Sequence, residues 1–342
     1  MAIALDAMGG DLAPAATVEG ALRAHRERGL DVVLVGDEER LRFELRRLGT
    51  GLDELRIHHA SEVVEMDEHP GQALRKKKDS SIRVCFDLCK EGAVSAMVSA
   101  GNSGAVLAGG IFVLGRLPGV DRPCIGGSLP TLGGAGRAVL VDMGANVDVT
   151  PLQLVQFALL GEVYARRVLS VARPRIGVVS NGEEEEKGTD LTRAAAAALR
   201  KPTSGVHFKG YVEGRDVFAG EVDVVATDGF TGNVLLKTAE GAVWAFGQLL
   251  KRQIKSSPMA SAGALLLGSA LEQVKKRVDY EEVGGAPLLG IRGTGFVAHG
   301  RSSPRAILNA LSSAEAFAAR RIEDELSEAA ERAAGLFEKN AA

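Results

Sequence analysis

A chain of 342 residues, 46% of them hydrophobic and 25% charged, is long enough to bury a sizeable core and has an ordinary globular composition rather than a disordered one. Its 41 basic and 44 acidic side chains leave a formal net charge of −3, which gives no general electrostatic attraction to nucleic acid. No apolar run reaches the ~18 residues that a membrane-spanning helix needs, so we expect a soluble protein that at most lies on a membrane surface.

The cysteines indicate a reducing compartment. Cys85, Cys89 and Cys124 are an odd number, and no signal peptide precedes them because Met1 leads straight into a strand-like run at residues 2–5. Cys85 and Cys89 lie on a helix-like segment without further zinc ligands at a suitable spacing, so we expect them to be small buried hydrophobic residues. The chain is therefore expected to be cytoplasmic.

The first part of the chain alternates strands and helices. Apolar runs at residues 2–5, 32–35 and 55–59 predict buried strands. Helices are predicted between them, one opening at Pro14 and one over residues 37–48. The alternation is typical of βαβ units.

A basic run follows in a segment without periodicity. The pattern is lost between residues 63 and 81, which predicts a loop or a lid that carries Arg75, Lys76, Lys77 and Lys78. Such a run is usually a solvated face. The alternative is a contact site for an anion or an acidic partner.

The same strand–turn–helix pattern continues along the chain. Five glycine-containing turns each follow a predicted strand, at residues 6–11, 99–104, 142–146, 180–189 and 227–233. Apolar strands without alternation, separated by amphipathic helices, predict an α/β fold with a mainly parallel sheet covered by helices on both faces. Because ligands bind outside the carboxyl ends of such strands, we expect the turns to converge on one crevice.

The turn at residues 227–233 is the one around which we expect the site to be organised. Thr231 and Asn233 are N-cap residue types, so the helix is predicted to open there with free N–H groups that attract anions. An ordinary βα connection is the alternative. Across the turns, the amides and hydroxyls suit a small tetrahedral anion or an oxyanion, and they are those of Asn102, Ser103, Asn146, Asn181, Thr231 and Asn233.

Lys187 is the basic residue of an otherwise acidic turn. Four glutamates precede it at residues 183–186, and Gly188 and Thr189 follow it. The acidic run can be a solvated helix start. Alternatively, Lys187 neutralises a phosphate or a developing oxyanion.

Other kinds of site have little support. No serine lies in a G-x-S-x-G motif. His299 is the histidine near the C-terminal end of the chain that lies in a turn-like segment, so a Ser-His-Asp site is not indicated. Asp6, Asp11, Asp142 and Asp228 could gather at strand ends, but no ligand spacing specifies a metal. The turns contain neither a Walker loop nor a clean G-x-G-x-x-G. We expect neither a metal nor a cofactor.

Residues 248–278 depart from the alternating strand–helix pattern. They are predicted to form a protruding hairpin of two helices joined near residues 256–258, with basic flanks and an apolar tip that holds Met259, Leu265, Leu266 and Leu267. The tip could insert at the headgroup boundary on the inner face of the cytoplasmic membrane. Packing in a dimer interface is the alternative. Segments at 283–291 and 296–299 and a last helix at 304–337 complete a chain that we expect to be one domain over residues 1–342.

Eight motifs spread over nearly the whole chain carry a family resemblance: LDAMGGD at 5–11, RKKKDSS at 75–81, SAGNSGA at 99–105, DMGAN at 142–146, SNGEEEEKGT at 180–189, VEGRD at 212–216, TDGFTGNVLLKTAEG at 227–241 and GGAPLLGI at 284–291. Together they resemble the bacterial phosphate acyltransferase (PlsX) family. One departure is Arg301, because the family usually has His-Gly-Ser-Ser where this chain has His-Gly-Arg-Ser.

The resemblance implies transfer of a long-chain acyl group from the thioester of acyl carrier protein to inorganic phosphate, which gives acyl phosphate for phospholipid synthesis. It also implies an isocitrate/isopropylmalate dehydrogenase-like fold, similar to phosphotransacetylase, and a homodimer. The chemistry fits the residues, since the reaction needs an anion site and a polarised carbonyl, and a thiol of pKa near ~8.5 leaves readily.

By this resemblance, Lys187 and Asn233 are the expected catalytic residues, which bind phosphate and stabilise the tetrahedral oxyanion. Asp228 and Thr231 would orient them. The basic run Arg75–Lys78 becomes a candidate docking patch for the acidic carrier protein. The turns at 99–104 and 142–146 would supply further donors. The other expected phosphate- or substrate-binding residues are Ser99, Gly101, Asn102, Ser103, Gly104, Asp142, Gly144, Asn146, Asn181, Gly188, Thr189, Gly229 and Gly232.

Three rival functions remain open on the sequence. A phosphotransacetylase would use coenzyme A thioesters as donors. A decarboxylating dehydrogenase of the same fold would need a metal and a nicotinamide cofactor, and no adenine-site signature is present. A non-catalytic, membrane-associated scaffold of lipid synthesis would act through the 248–278 hairpin.

Overall fold

A computed structural model describes residues 1–51, 53–278 and 284–338. The described residues form one sheet of eleven strands. The strands are β1 Ile3–Asp6, β2 Val32–Gly36, β3 Arg56–His59, β4 Ala96–Ser99, β5 Cys124–Pro130, β6 Arg137–Val141, β7 Arg175–Val179, β8 His207–Val212, β9 Val224–Ala226, β10 Ala286–Leu289 and β11 Gly295–Val297.

The sheet consists of two parallel blocks that run in opposite directions. The strand order is β3-β2-β1-β4-β11-β10-β5-β6-β9-β7-β8. Strands β3, β2, β1, β4 and β11 are mutually parallel, and so are β6, β9, β7 and β8. Between the blocks, the pairs β11–β10, β10–β5 and β5–β6 are antiparallel. Three successive reversals leave the two blocks with opposite directions.

Thirteen α-helices connect the strands of the described chain. A π-helical turn at Gly110–Leu114 extends α5, and a 3-10 turn at Pro202–Ser204 follows α7. The helices are α1 Ala15–Arg28, α2 Glu38–Arg47, α3 Pro70–Lys76, α4 Ser81–Lys90, α5 Ser103–Gly109, α6 Pro151–Arg167, α7 Asp190–Leu199, α8 Gly214–Ala219, α9 Gly229–Ile254, α10 Pro258–Leu266, α11 Gly268–Val278, α12 Pro304–Ala318 and α13 Glu323–Gly335.

Both faces of the sheet are covered. Along β1, Ile3 and Leu5 pack into one apolar cluster with residues of α1, α6 and α12, whereas Ala4 packs into a second cluster with α4 and α5. Successive strand residues point to opposite faces, so both faces need apolar side chains. This confirms the predicted α/β fold with a mainly parallel sheet, and it explains why the strands lack alternation.

The five predicted turns do not all follow strands that run in one direction. Each turn follows the carboxyl end of its strand, and the two oppositely directed blocks divide the turns into two groups. The turns after β1 and β4 form one group, since Asp6 pairs with Ser99 in register. The turns after β6, β9 and β7 form the other, since Val141 and Val178 both pair with Ala226.

Several predicted element boundaries are also wrong. Part of the segment predicted as a loop is helix α3, because Pro70 at the first helical turn fits a helix start. The predicted two-helix hairpin is three helices, since α9 continues to Ile254 and the chain breaks again at Leu267. The last helix is interrupted near Arg321, whose φ of 48° is left-handed. Val283 of the 283–291 segment lies outside the described residues.

The cysteines behave as the sequence predicts. Cys85 and Cys124 are buried and Cys89 is half-buried, and all three are free thiols. Burial raises the pKa of Cys89 to about 12, so that thiol stays protonated at neutral pH.

Candidate active site

Three adjacent strand ends build the first part of the site. Strands β6, β9 and β7 end at one edge, and at β6 the buried carboxylate of Asp142 organises the turn that follows. Its oxygens accept from the backbone N–H groups of Gly144, Ala145 and Asn146 at 3.2, 3.1 and 2.7 Å, and from the Asn146 amide at 2.9 Å. Burial raises the pKa of Asp142, and these bonds oppose that shift. The N–H groups expected to bind an anion are thus engaged by Asp142.

The turn after β9 differs from the predicted cap. Asp228, not Thr231, is the N-cap of α9, and its carboxylate accepts from the backbone N–H and the hydroxyl of Thr231, both at 2.8 Å. The Gly229 N–H donates to the Asn146 carbonyl at 2.7 Å. Two N–H groups of the helix start are therefore already bonded. Asn233 lies further along, in the second turn of α9.

Gly232 locks α9 onto the turn after β6. A Cβ added there would lie 1.9 Å from the Asp142 carbonyl oxygen, which only glycine avoids. This close approach brings the side chain of Asn233 against Gly144, whose φ is 135°, and a Cβ added at Gly144 would lie 3.4 Å from the Asn233 Cβ. The exposed Asn233 amide thus borders the Asp142–Asn146 turn.

The turn after β7 carries Lys187. Asn181 accepts from the Gly188 N–H at 2.9 Å and closes the turn, and Thr189 caps α7. Lys187 is exposed on this turn, with its aliphatic carbons against Gly182. Within the described ranges, no hydrogen bond or ion pair joins the side chain of Lys187 to Asn233 or to the neighbouring glutamates. The two expected catalytic residues share a sheet edge without direct contact.

The second group of turns is built around Asp6. Its buried carboxylate accepts from the hydroxyls of Ser81 and Ser99, both at 2.6 Å, and Ser99 in turn accepts from the Gly101 N–H at 3.0 Å. Burial raises the pKa of Asp6, and the serine hydroxyls oppose the shift. Ser99, expected to face a ligand, therefore supports a buried carboxylate. The role of Ser81 was missed by sequence reasoning.

Asn102 ties the second group to the segment before α3. It caps α5 by accepting from the Ala105 N–H at 3.1 Å, and its amide nitrogen donates to the carbonyls of Met66 and Glu68 at 3.1 and 3.2 Å. A Cβ on Gly104 would lie 2.6 Å from Pro70. Asn102 and Gly104 thus fix the position of α3 against the start of α5. Ser103 is exposed beside them.

One contact bridges the two groups of turns. The Nζ atom of Lys237, on α9, lies 3.0 Å from Nε2 of His299, in the loop after β11. That loop also reaches the turn after β1, since the Asp11 N–H donates to the Gly300 carbonyl at 2.8 Å and Arg301 lies 3.6 Å from the Asp11 carboxylate. Sequence reasoning missed Lys237. Its position four residues after Asn233, on the same face of the helix, is the sequence signal that could have identified it.

The basic run contains one half-buried, paired lysine and three exposed cations. Lys77 donates to the Glu68 carboxylate at 2.5 Å and to the Val63 carbonyl at 2.7 Å, so it holds the segment before α3. Arg75, Lys76 and Lys78 are exposed, and the Arg75 guanidinium lies 5.6 Å from the centre of the Phe112 ring.

The helices α9 to α11 expose a large apolar surface. Trp244 and Phe246 are 68% and 69% exposed, and the predicted tip residues Met259, Leu265, Leu266 and Leu267 are all exposed, Leu266 to 87%. Exposed apolar surface of this kind marks an interaction site. Nowhere in the described ranges is there a helix with the length and hydropathy needed to cross a membrane.

The four aspartates considered as metal ligands divide between the groups. Asp6 and Asp11 belong to the turn after β1, whereas Asp142 and Asp228 follow β6 and β9. Across residues 1–51, 53–278 and 284–338, no group of three or more His, Cys, Asp or Glu side chains is placed to hold a metal ion.

This chain is similar to known proteins over nearly its whole length. A family model described as fatty acid synthesis protein matches residues 1–324. A phosphate acyltransferase of Anaeromyxobacter sp. (strain Fw109-5) is 57% identical over 338 residues, 98% of this chain and 92% of that protein. A phosphate acyltransferase of Myxococcus xanthus (strain DK1622) is 54% identical over 337 residues, with 98% and 95% covered.

Solved structures share the fold at low sequence identity. A phosphotransacetylase from Streptococcus pyogenes superposes with a TM-score of 0.61 at 18% identity and covers 93% of this chain and 94% of its own. A 4-hydroxythreonine-4-phosphate dehydrogenase from Klebsiella pneumoniae gives 0.53 at 18% identity, with 93% and 99% covered. The architecture is therefore the one shared by phosphotransacetylases and this class of dehydrogenase.

Proposed function

This chain belongs to the phosphate acyltransferase family, and we propose that it moves a long-chain fatty acyl group from the thioester of acyl carrier protein to inorganic phosphate. The family membership makes the protein an enzyme of fatty acid and phospholipid synthesis, which argues against a non-catalytic scaffold. The observation that carries the finer proposal is the position of Asn233. Its amide borders the glycine turn after β6, at the sheet edge shared with the Lys187 turn.

The proposed reaction is a direct displacement. A phosphate oxygen attacks the thioester carbonyl carbon, and the new C–O bond gives a tetrahedral oxyanion. The C–S bond then breaks, and the carrier leaves as a thiolate that takes up a proton. Acyl phosphate and free carrier protein are the products. No covalent enzyme intermediate is required, so positioning and charge stabilisation supply the catalysis.

Lys187 and Asn233 are the proposed catalytic residues. The exposed Lys187 ammonium supplies positive charge for phosphate, and the Asn233 amide donates to the oxyanion. Asp228 and Thr231 support Asn233 indirectly, because their mutual hydrogen bonds fix the start of α9. The reaction proposed here uses no cofactor.

The acyl carrier protein is proposed to dock on Arg75, Lys76 and Lys78. These exposed cations suit an acidic partner, and Lys77 contributes by holding the segment in place through Glu68.

We also propose a homodimer with peripheral membrane contact. The exposed aromatic residues of α9, Trp244 and Phe246, suit a second copy of the chain, and the tip of α10 suits a lipid surface flanked by the basic side chains of α9 and α11.

The test compares acyl donors with purified protein and inorganic phosphate. Palmitoyl-acyl carrier protein is expected to yield palmitoyl phosphate, with a kcat/KM far above those for palmitoyl-coenzyme A and acetyl-coenzyme A. A preference for coenzyme A thioesters would instead make the enzyme a phosphotransacetylase. Absence of acyl phosphate with every donor would refute phosphate as the acceptor.

A further inference from the structure

We propose that Arg193 is a positioning residue for Lys187, because it fixes the backbone from which the Lys187 side chain extends toward the acceptor phosphate. The inference rests on the proposed function and deepens it, since it names the group that keeps the charge of an exposed lysine in one place. Arg193 lies near the start of α7, and sequence reasoning did not name it.

The position of the Lys187 ammonium depends on its turn. A lysine ammonium is carried on a flexible four-carbon stem. Over the ranges that the structure describes, no hydrogen bond or ion pair anchors the exposed Lys187 ammonium. Its stem lies over Gly182, where an added Cβ would be 2.9 Å from the Lys187 Cγ and 3.2 Å from its Cδ. The backbone of residues 182–188 therefore sets the direction of the side chain.

Both backbone polar groups of Gly188, the residue after Lys187, are bonded. The Asn181 amide oxygen accepts from the Gly188 N–H at 2.9 Å, and Nη1 of Arg193 donates to the Gly188 carbonyl. Gly188 has a φ of 81°, and a Cβ added there would lie 2.3 Å from the Thr192 hydroxyl oxygen, so this position requires glycine. Because glycine loses more conformational freedom on folding than any other residue, these two bonds are what hold the turn in one conformation.

Arg193 reaches the turn from the helix that follows it. Its Nη2 donates to the Asp190 carboxylate at 2.5 Å, which orients the guanidinium so that Nη1 faces the Gly188 carbonyl. The Asp190 side chain is fully exposed, so this ion pair by itself contributes little stability. A hydrogen bond from a charged donor is stronger than a neutral one, and the fork of the guanidinium allows both bonds at once. The bond to Gly188 is thus the one through which Arg193 acts on Lys187.

A double-mutant cycle with inorganic phosphate tests the inference without catalysis. Isothermal titration calorimetry on the full-length protein gives the Kd for phosphate of the wild type, Arg193→Met, Lys187→Ala and the double variant. Arg193→Met is expected to raise the Kd about fivefold in the wild type and to change it no further in Lys187→Ala, because it acts only through Lys187. Arg193→Lys keeps a charged donor and should restore most of the affinity.

Arg200→Met is the matched control on the same helix. Arg200 also contacts the turn, but through the exposed Glu185 side chain at 3.3 Å and not through the backbone next to Lys187. This variant should therefore bind phosphate as the wild type does. A Kd unchanged in Arg193→Met would overturn the inference, and so would an equal further loss in the Lys187→Ala background, since that loss would not pass through Lys187.

Kinetics with palmitoyl-acyl carrier protein gives the second readout. Arg193→Met is expected to raise the KM for phosphate about fivefold, while the KM for the carrier protein changes less than about twofold. Acyl phosphate formed with an unchanged KM and Kd for phosphate in Arg193→Met would overturn the inference and leave the reaction standing. Coupling between Arg193 and Lys187 in the Kd of a protein that makes no acyl phosphate would support the positioning role and refute the proposed reaction.

Discussion

At the scale of single residues, the site depends on buried carboxylates that hold backbone rather than ligand. Asp142 gathers the N–H groups of its own turn, and Asp6 joins Ser81 to Ser99. Sequence reasoning named Asp142 and Ser99 as ligand-binding residues because carboxylates and hydroxyls after strands suit that role. It had no access to the direction in which each side chain points, and the structure shows Ser99 buried with its hydroxyl donated to Asp6.

Gly232→Ala tests the contact between α9 and the turn after β6. The added Cβ would meet the Asp142 carbonyl oxygen at 1.9 Å, so the helix start must shift. We expect a loss of roughly 1–3 kcal/mol in the free energy of unfolding and a marked fall in kcat, because Asn233 moves with the helix. Thermal unfolding and acyl phosphate assays provide the measurements.

Gly241→Ala is the matched control on the same helix. No atom lies within 4 Å of the position of its added Cβ, so this substitution should leave activity intact and stabilise α9 by up to about 1 kcal/mol. A Gly232→Ala protein with the wild-type Tm and kcat would show that the close approach has no role.

At the scale of elements, the sequence predicts the strands and most of the helices, but it does not predict the directions in which the strands run. Apolar runs look alike in parallel and antiparallel strands, so the sequence predicted one rim. One signal was present: only residues 131–136 separate β5 from β6, too few for the crossover that parallel strands require. The Lys237–His299 contact joins residues far apart in sequence, and no local pattern reports such a contact.

Helix α3 and its basic residues provide a prediction at this scale. Reversing Arg75, Lys76 and Lys78 to Glu should raise the KM for acyl carrier protein steeply at low salt and leave kcat nearly unchanged, since exposed charges steer association. The difference should shrink in high salt because ions screen it. Steady-state kinetics over a salt series provides the measurement.

The control reverses three exposed cations elsewhere, Lys90, Arg173 and Lys209, and so matches the change in net charge. Equal effects of the two triple variants would exclude Arg75, Lys76 and Lys78 as the docking site. An unchanged KM for acyl carrier protein in the variant of those three residues would exclude it as well.

At the scale of the whole molecule, two opposed parallel blocks share one sheet and are bridged by one long helix. The first part of α9 contacts β6 and, through Lys237, the loop after β11, and the rest extends outward to α10 and α11. Site and apolar surface thus lie on the same helix. This arrangement suits the proposed transfer of a long apolar acyl group to a small anion.

Liposome flotation tests the tip of the protruding helices. Leu266→Glu should greatly reduce flotation with anionic vesicles, because it places a charge on a side chain that is 87% exposed at the tip. Leu132→Glu alters a leucine that is 83% exposed on the β5–β6 connection and should float as the wild type does. A Leu266→Glu protein that still floats would exclude the tip as the anchor.

The central claim is that the exposed ammonium of Lys187 acts on phosphate during acyl transfer from the carrier protein. The most direct measurement is kcat/KM of Lys187→Ala with palmitoyl-acyl carrier protein and phosphate, beside Lys209→Ala as a control. We predict a loss of at least tenfold, or about 1.4 kcal/mol of transition-state stabilisation, for Lys187→Ala alone. A value within tenfold of the wild type would contradict this claim.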